Sequence, residues 1–133
     1  MSEWVSLRRG LLAVAGLVVV ALFAWWVERL TYQDRGYALM LRCLVIEKGV
    51  AVESPRDPIA RSADRGWART SIETNGVTIA VSSSEESAER IVSAYRSVVG
   101  DLGARLELRG RNVFLWDRPP SPTQRQNLYD CTY

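Results

Sequence analysis

From Gly10 to Val27 the chain reads GLLAVAGLVVVALFAWWV, a stretch without a charged side chain in which glycine alone interrupts the apolar residues. As a helix rising 1.5 Å per residue it reaches roughly 27 Å, close to the ~30 Å hydrocarbon thickness of a bilayer. The segment therefore predicts a transmembrane helix over 10–27. That leaves 1–9 as a short tail, 28–36 as a juxtamembrane linker broken at Gly36, and 37–133 as a small folded domain. Trp4 on one side and Trp25 and Trp26 on the other stand where interfacial aromatic belts form, and Arg8 and Arg9 give a basic flank. Gly16, with Ala13 and Ala21, would let a second helix approach the span closely, although no strict GxxxG is present.

A cleaved signal peptide is the competing reading. It needs an apolar core of about 7–15 residues followed by small residues at the cleavage site. This run is longer and ends in Trp25-Trp26-Val27, so an uncleaved anchor fits better. Arg8-Arg9 also resembles the centre of a twin-arginine export signal, but the preceding polar position holds Leu7.

Positive charges do not orient the span, because Arg8 and Arg9 on one side face Arg29, Arg35, Arg42 and Lys48 on the other. Cysteine does. Cys43 and Cys131 are the only two, both on the carboxyl side of the span. They are either two thiols in a reducing compartment or one disulfide in an oxidising one. A bridge would close a loop of roughly ninety residues, worth about 4–5 kcal/mol in the chain-entropy model. The bridge is the expectation adopted, and with it a plasma-membrane protein with its amino terminus cytoplasmic and its domain outside the cytoplasm.

About 100 residues beyond the span suffice for one small domain with a modest core. Seventeen basic residues meet fifteen acidic ones. Such balance excludes the one-sided basic footprint of a nucleic-acid binder.

Tyr37–Lys48, YALMLRCLVIEK, is apolar on most sides and ends at Gly49, which predicts a helix; a strand running into a hairpin with Val50–Val52 is the alternative. In either form it must pack on a sheet or lie on a membrane surface. Asp57-Pro58 opens a short helix over 58–65. In RTSIETNGVTIAVS, Asn75-Gly76 predicts a two-residue hairpin turn pairing Ile72 with Ile79 and Thr70 with Val81. Ser83 and Glu86 read as a capping box for a helix over 84–99 with Ala88, Ile91, Val92, Tyr95, Val98 and Val99 on its buried stripe.

A second hairpin turns at Gly110-Arg111, pairing Leu108 with Val113 and Leu106 with Leu115. Its opposite face carries Phe114 and Trp116 beside Arg105 and Glu107. Either another part of the chain covers the aromatics while Arg105 stacks on Trp116, or Arg105, Phe114 and Trp116 form a surface for a partner. After the stiff connector Pro119–Pro122, a short helix over 123–130 would deliver Cys131 to Cys43.

Assembled, these elements predict an α+β domain with a mixed four-stranded sheet: two hairpins joined by a crossover helix. The strand ending at Ser82 and the one beginning at Arg105 are parallel neighbours, and residues 37–48 cover Phe114 and Trp116.

The chemistry of the sequence is mostly exclusion. There is no histidine, so Ser-His and Cys-His pairs are out, and the two distant cysteines do not make a usual zinc site. A Ser-Lys dyad would need Lys48, the single lysine. Carboxylate pairs such as Glu73 with Asp101 or Asp117 are the one remaining acid–base arrangement. No phosphate loop, calcium cluster, cofactor motif, nucleic-acid patch or small-molecule substrate site emerges. The expectation is a non-catalytic accessory or assembly subunit contacting membrane lipid and other membrane protein subunits. The alternative is a tethered binding module for a cell-envelope ligand or soluble protein.

Overall fold

The computed structural model describes the backbone of residues 2–132 and the side chains of residues 10, 12–28 and 35–132. Contacts divide the chain into two compact units, Met1–Gln33 and Asp34–Tyr133. The described residues of the first lie in helix α1, Ser2–Arg42. Among the described residues no helix is long and apolar enough to cross a membrane. The expected span passes through Leu11, whose side chain lies outside the described ones, and the run Leu12–Glu28 with described side chains is shorter than the about 20 residues a span takes.

The expected break at Gly36 does not occur, since α1 continues to Arg42. A glycine within a helix costs only about 1 kcal/mol, and Ala38-Leu39-Met40-Leu41 after it are strong helix formers. The last turn then widens into a π-helix, Cys43–Glu47, in which Lys48 N–H donates to the Cys43 carbonyl at 3.0 Å. Residues 37–47 are thus helical rather than extended, and Gly49 stops them with φ +65°. The widened turn buries two consecutive side chains, Cys43 and Leu44.

The second unit is an α+β domain around a four-stranded sheet. Its strands are β1 (Gly66–Ile72), β2 (Asn75–Val81), β3 (Leu106–Arg109) and β4 (Asn112–Trp116), in spatial order β1-β2-β4-β3. Helix α2 (Glu85–Val99) crosses from β2 to β3, and α3 (Pro122–Tyr129) follows β4. Every pairing is antiparallel, so the sheet is not mixed as expected. β4 enters between β2 and β3, which run parallel but do not touch. Composition explains the exchange: β4 carries Val113, Phe114, Leu115 and Trp116 and can be buried on both faces, whereas Glu107 and Arg109 suit β3 to an edge.

Ile72, Val77 and Ile79 consequently share a face with Phe114 and Trp116. That face packs against Met40, Cys43 and Leu44 of the first helical segment and against Leu128 and Cys131 at the chain's end. Residues 37–48 thus cover the aromatics, as expected. The opposite face presents Ala80 and Val113 to Ala88, Ile91, Val92 and Tyr95 of α2, with Ala60 from the 3-10 turn Ala60–Ser62 and Ala63 just after it. Alanine on both sides of this contact lets the helix settle close to the strands.

Two details of local chemistry depart from expectation. The first hairpin turns at Glu73-Thr74, with φ +49° and +68°, and not at Asn75-Gly76. Its register pairs Ile72 with Asn75 and Thr70 with Val77. Gly76 instead faces the Arg69–Asp117 ion pair: a Cβ there would meet the Asp117 carboxylate and lie 2.6 Å from Arg69 Nη2, so those exposed side-chain ends would have to shift. Asn75 ties the strand to the next segment, donating to the Arg118 carbonyl at 2.9 Å and accepting from Arg118 N–H at 3.1 Å. The cap of α2 is Ser84, accepting from Ser87 N–H at 3.1 Å, while Ser83 turns away to Asp64. Val98 and Val99 lie past the buried stripe and are exposed. The second hairpin follows the expected pairs, Leu106 with Leu115 and Leu108 with Val113, with Gly110 at φ +59°. The Asp57-Pro58 helix contracts to the 3-10 turn.

Cys43 and Cys131 form a disulfide across a sequence separation of 88, with Cα atoms 5.4 Å apart and both residues buried. Removing it as the Cys43→Ser, Cys131→Ser pair is expected to cost about 2–5 kcal/mol, read from urea unfolding of the variant against the oxidised parent. In the same assay Thr74→Gly should stabilise by about 1 kcal/mol, because it relieves a β-branched residue held at positive φ. Gly76→Ala should destabilise by less than about 1 kcal/mol, because the Cβ displaces the ends of the exposed Arg69 and Asp117 side chains and loosens their ion pair. Loss of stability in Thr74→Gly would place the turn elsewhere.

Candidate functional site

Phe114 and Trp116, expected on a possible partner surface, are fully buried at 0% exposure. They form the centre of the core beneath α1 and α3, because β4 is central and 37–48 covers its aromatic face. Arg105 does not stack on Trp116; its Nε donates to the Trp116 carbonyl at 2.9 Å. The cation–π contact of this region is Arg109 over Tyr129, 3.9 Å from the ring centroid. Tyr129 in turn donates to Glu107 at 2.5 Å, and Arg125 Nε meets the other Glu107 oxygen at 2.5 Å. Burial and the Glu107 carboxylate raise the Tyr129 phenol above its ordinary range. This cluster is satisfied internally and fastens α3 to the edge strand.

Of the membrane-anchor residues, Trp4, Arg8 and Arg9 have side chains outside the described residues. Trp25 and Trp26 are both exposed on α1, and nothing lies within 4 Å of a Cβ built on Gly16. The carboxylates considered for acid–base chemistry are engaged separately. Asp117 holds Arg69 at 2.5 Å, Asp101 accepts from Gly103 N–H at 2.9 Å, and Glu73 sits in the first turn. Lys48, which a Ser-Lys dyad would need, is paired with Asp130 at 2.9 Å. Among the described residues no group of three His, Cys, Asp or Glu could hold a metal ion.

Among the described residues, three clefts lie elsewhere, around the segment that leads into β1. One cleft of about 350 Å³ is lined by Asp64, Ser82, Ser87, Arg90, Ile91 and Ala94 among others. A second, of about 560 Å³, is lined by Tyr37, Glu53, Ser54, Asp64, Arg65 and Trp67. Asp64 belongs to both. A third, of about 410 Å³, includes Glu53, Arg56, Asp57 and Arg69 and shares Glu53 and Ser54 with the second.

Local sequence explains how these side chains are held. Asp64 accepts from Ser83 N–H at 2.9 Å and from the Ser83 hydroxyl. That hydroxyl contact, chiefly, holds the Asp64 carboxyl below the usual range. Tyr37, in the last turns of α1, lies over Gly66 so closely that a Cβ would be 2.6 Å from its ring, and its hydroxyl donates to the Trp67 carbonyl at 2.7 Å. Burial at this contact raises the Tyr37 phenol. Asp57 spans the turn by accepting from Ile59 N–H at 2.8 Å and from the Tyr95 hydroxyl on α2. Ser82 lines the first cleft at 2% exposure, and its hydroxyl is buried without a hydrogen-bond partner.

Sequence reading passed over Asp64, Ser82, Trp67, Tyr37 and Arg90. The Ser82–Ser84 run has a sufficient explanation as a helix cap, and the others converge only through the sheet. No protein-family model, curated protein or solved structure matches the chain.

Burial first, and then the Asp57 carboxylate, push the Tyr95 phenol far above its ordinary value. A group whose pKa is raised on folding favours its protonated form in the fold. The stability this gives is complete below about pH 10 and is lost as pH rises past it. The stability advantage of wild type over Tyr95→Phe should therefore narrow between about pH 8 and about pH 11, measured as the difference in urea midpoint. An unchanged difference would show that Tyr95 ionises equally in both states.

Proposed function

We propose that this chain is a single-pass plasma-membrane protein. It acts as a non-catalytic accessory or assembly subunit of a larger membrane complex and carries its folded domain outside the cytoplasm. The observation that carries the reading is the surface of α1 in the first unit. Leu12, Leu17, Val20 and Phe23 are 74%, 70%, 67% and 64% exposed, on a helix whose sequence has no charge from Gly10 to Val27. A helix in water buries one apolar stripe and keeps a polar face, whereas a helix apolar on all sides needs lipid or protein around it. The aromatic flank Trp25-Trp26 suits a membrane–water interface. The disulfide suits an oxidising compartment and so the outer side of the membrane. The absence of histidine from the sequence, with its one lysine engaged by Asp130, supports a role without turnover.

Membrane fractions washed with alkaline carbonate should retain the wild-type chain. Leu17→Arg, Val20→Arg should move it to the soluble fraction, since each Arg at a helix centre costs about 2.5–3.5 kcal/mol of insertion. Purification in mild detergent should bring membrane partners in fixed ratio. A wild-type chain washed free by carbonate would overturn the anchor, and one isolated alone from its native membrane would overturn the subunit role.

A further inference from the structure

We propose that the two clefts meeting at Asp64 form one binding groove for a neutral oligosaccharide. This goes beyond the assembly role and does not depend on the anchor. The first cleft lies where β2 passes into α2; Ser82 is among its lining residues, and the Ser82 hydroxyl, buried just beneath the surface, has no partner in the protein. A buried polar atom left unpaired costs stability, and such atoms are scarce in folded proteins. A ligand hydroxyl supplies the missing hydrogen bond.

The lining excludes other ligand classes. An anion would face the Asp64 carboxylate, which already occupies the cleft beside the start of α2 and is held ionised by Ser83. A metal ion has no cluster of three ligating side chains among the described residues. A lone amine would share the site with the Arg90 guanidinium, which reaches Ser87 Oγ at 2.9 Å. An extended peptide would be expected to add to the β1 edge. That edge is already taken: Arg69 exchanges backbone hydrogen bonds of 2.8 Å in both directions with Glu53, and the Trp67 carbonyl is held by Tyr37.

What remains is alternating donors and acceptors over apolar patches. Asp64 accepts, Arg90 donates and Ser82 does either, with Ile91 and Ala94 beneath. Across Asp64, the second cleft offers the half-buried rings of Tyr37 and Trp67 with Glu53 and Ser54. A sugar presents the matching surfaces: hydroxyls at its rim and an aliphatic C–H face to lay on an aromatic ring. The two volumes, about 350 and 560 Å³, fall in the range of small-ligand sites and admit more than one ring.

The full chain, purified in a polyoxyethylene detergent without sugar headgroups, is applied to an array of neutral and uronic-acid oligosaccharides, with alanine and mixed tetrapeptides as comparators. Capture by neutral oligosaccharides is expected, and the best of them is titrated calorimetrically. Ser82→Ala should weaken it about fivefold, the loss of one neutral hydrogen bond, while its melting temperature stays equal to or above that of wild type. The exposed substitution Arg90→Ala should weaken binding without affecting folding. Capture of acidic saccharides or peptides alone, no capture, or affinity unchanged in both variants would overturn the proposal. So would a lower melting temperature of Ser82→Ala, because that would give the hydroxyl a partner inside the protein.

Discussion

The domain depends on closing its two ends over one face of the sheet. Phe114 and Trp116 are the largest fully buried side chains, and they belong to a central strand whose neighbours supply Ile79 and Val77 but no lid. The lid comes from opposite ends of the chain, Met40 to Leu44 before the first strand and Leu128 to Cys131 after the last. Two short pieces far apart in sequence pay a large entropy to meet. The Cys43–Cys131 bond removes that freedom from the unfolded chain, and Lys48 with Asp130 forms a second, exposed link beside it.

The other face is held by size matching rather than by covalent closure. Ala60, Ala63, Ala80 and Ala88 bring α2 close to the sheet, and Tyr95 reaches through to Asp57 in the loop before β1. This loop also shapes the clefts: Glu53 guards the edge of β1, and Asp64 anchors the entry to α2 through Ser83. The packing that stabilises the second face and the geometry of the concave surface therefore arise from the same dozen or so residues between Glu53 and Trp67.

Much of this was legible in sequence where the signal is local. The periodicity of α2, the Gly110 turn with its register and the pairing of the two cysteines each rest on residues a few positions apart or on having no other partner. Errors arose where a local rule met a tertiary demand. Asn75-Gly76 is a strong turn signal, yet Asn75 is drawn into hydrogen bonds with the Arg118 backbone, and the turn moved two residues back to Glu73-Thr74. A shift of two preserves which side chains share a face, so the core residues survived the error. Strand order did not survive, because nothing between Ser82 and Arg105 says whether β3 or β4 will lie beside β2. The groove around Asp64 was hidden for the same reason: Tyr37, Trp67, Ser82 and Arg90 come together only once the sheet and both helices are in place.

That strand order also sets the sequence in which the fold can complete itself. Since β4 lies between β2 and β3, the central ladder joins residues 77–81 to 112–116 across the whole of α2, a contact that no neighbouring hairpin can template. Cys131 follows all four strands, so a chain emerging vectorially acquires its covalent tie only after that ladder has had the chance to form. The bridge is then a latch fastened on a finished shape, and an oxidase acting on the emerging polypeptide would find Cys43 solitary until the end.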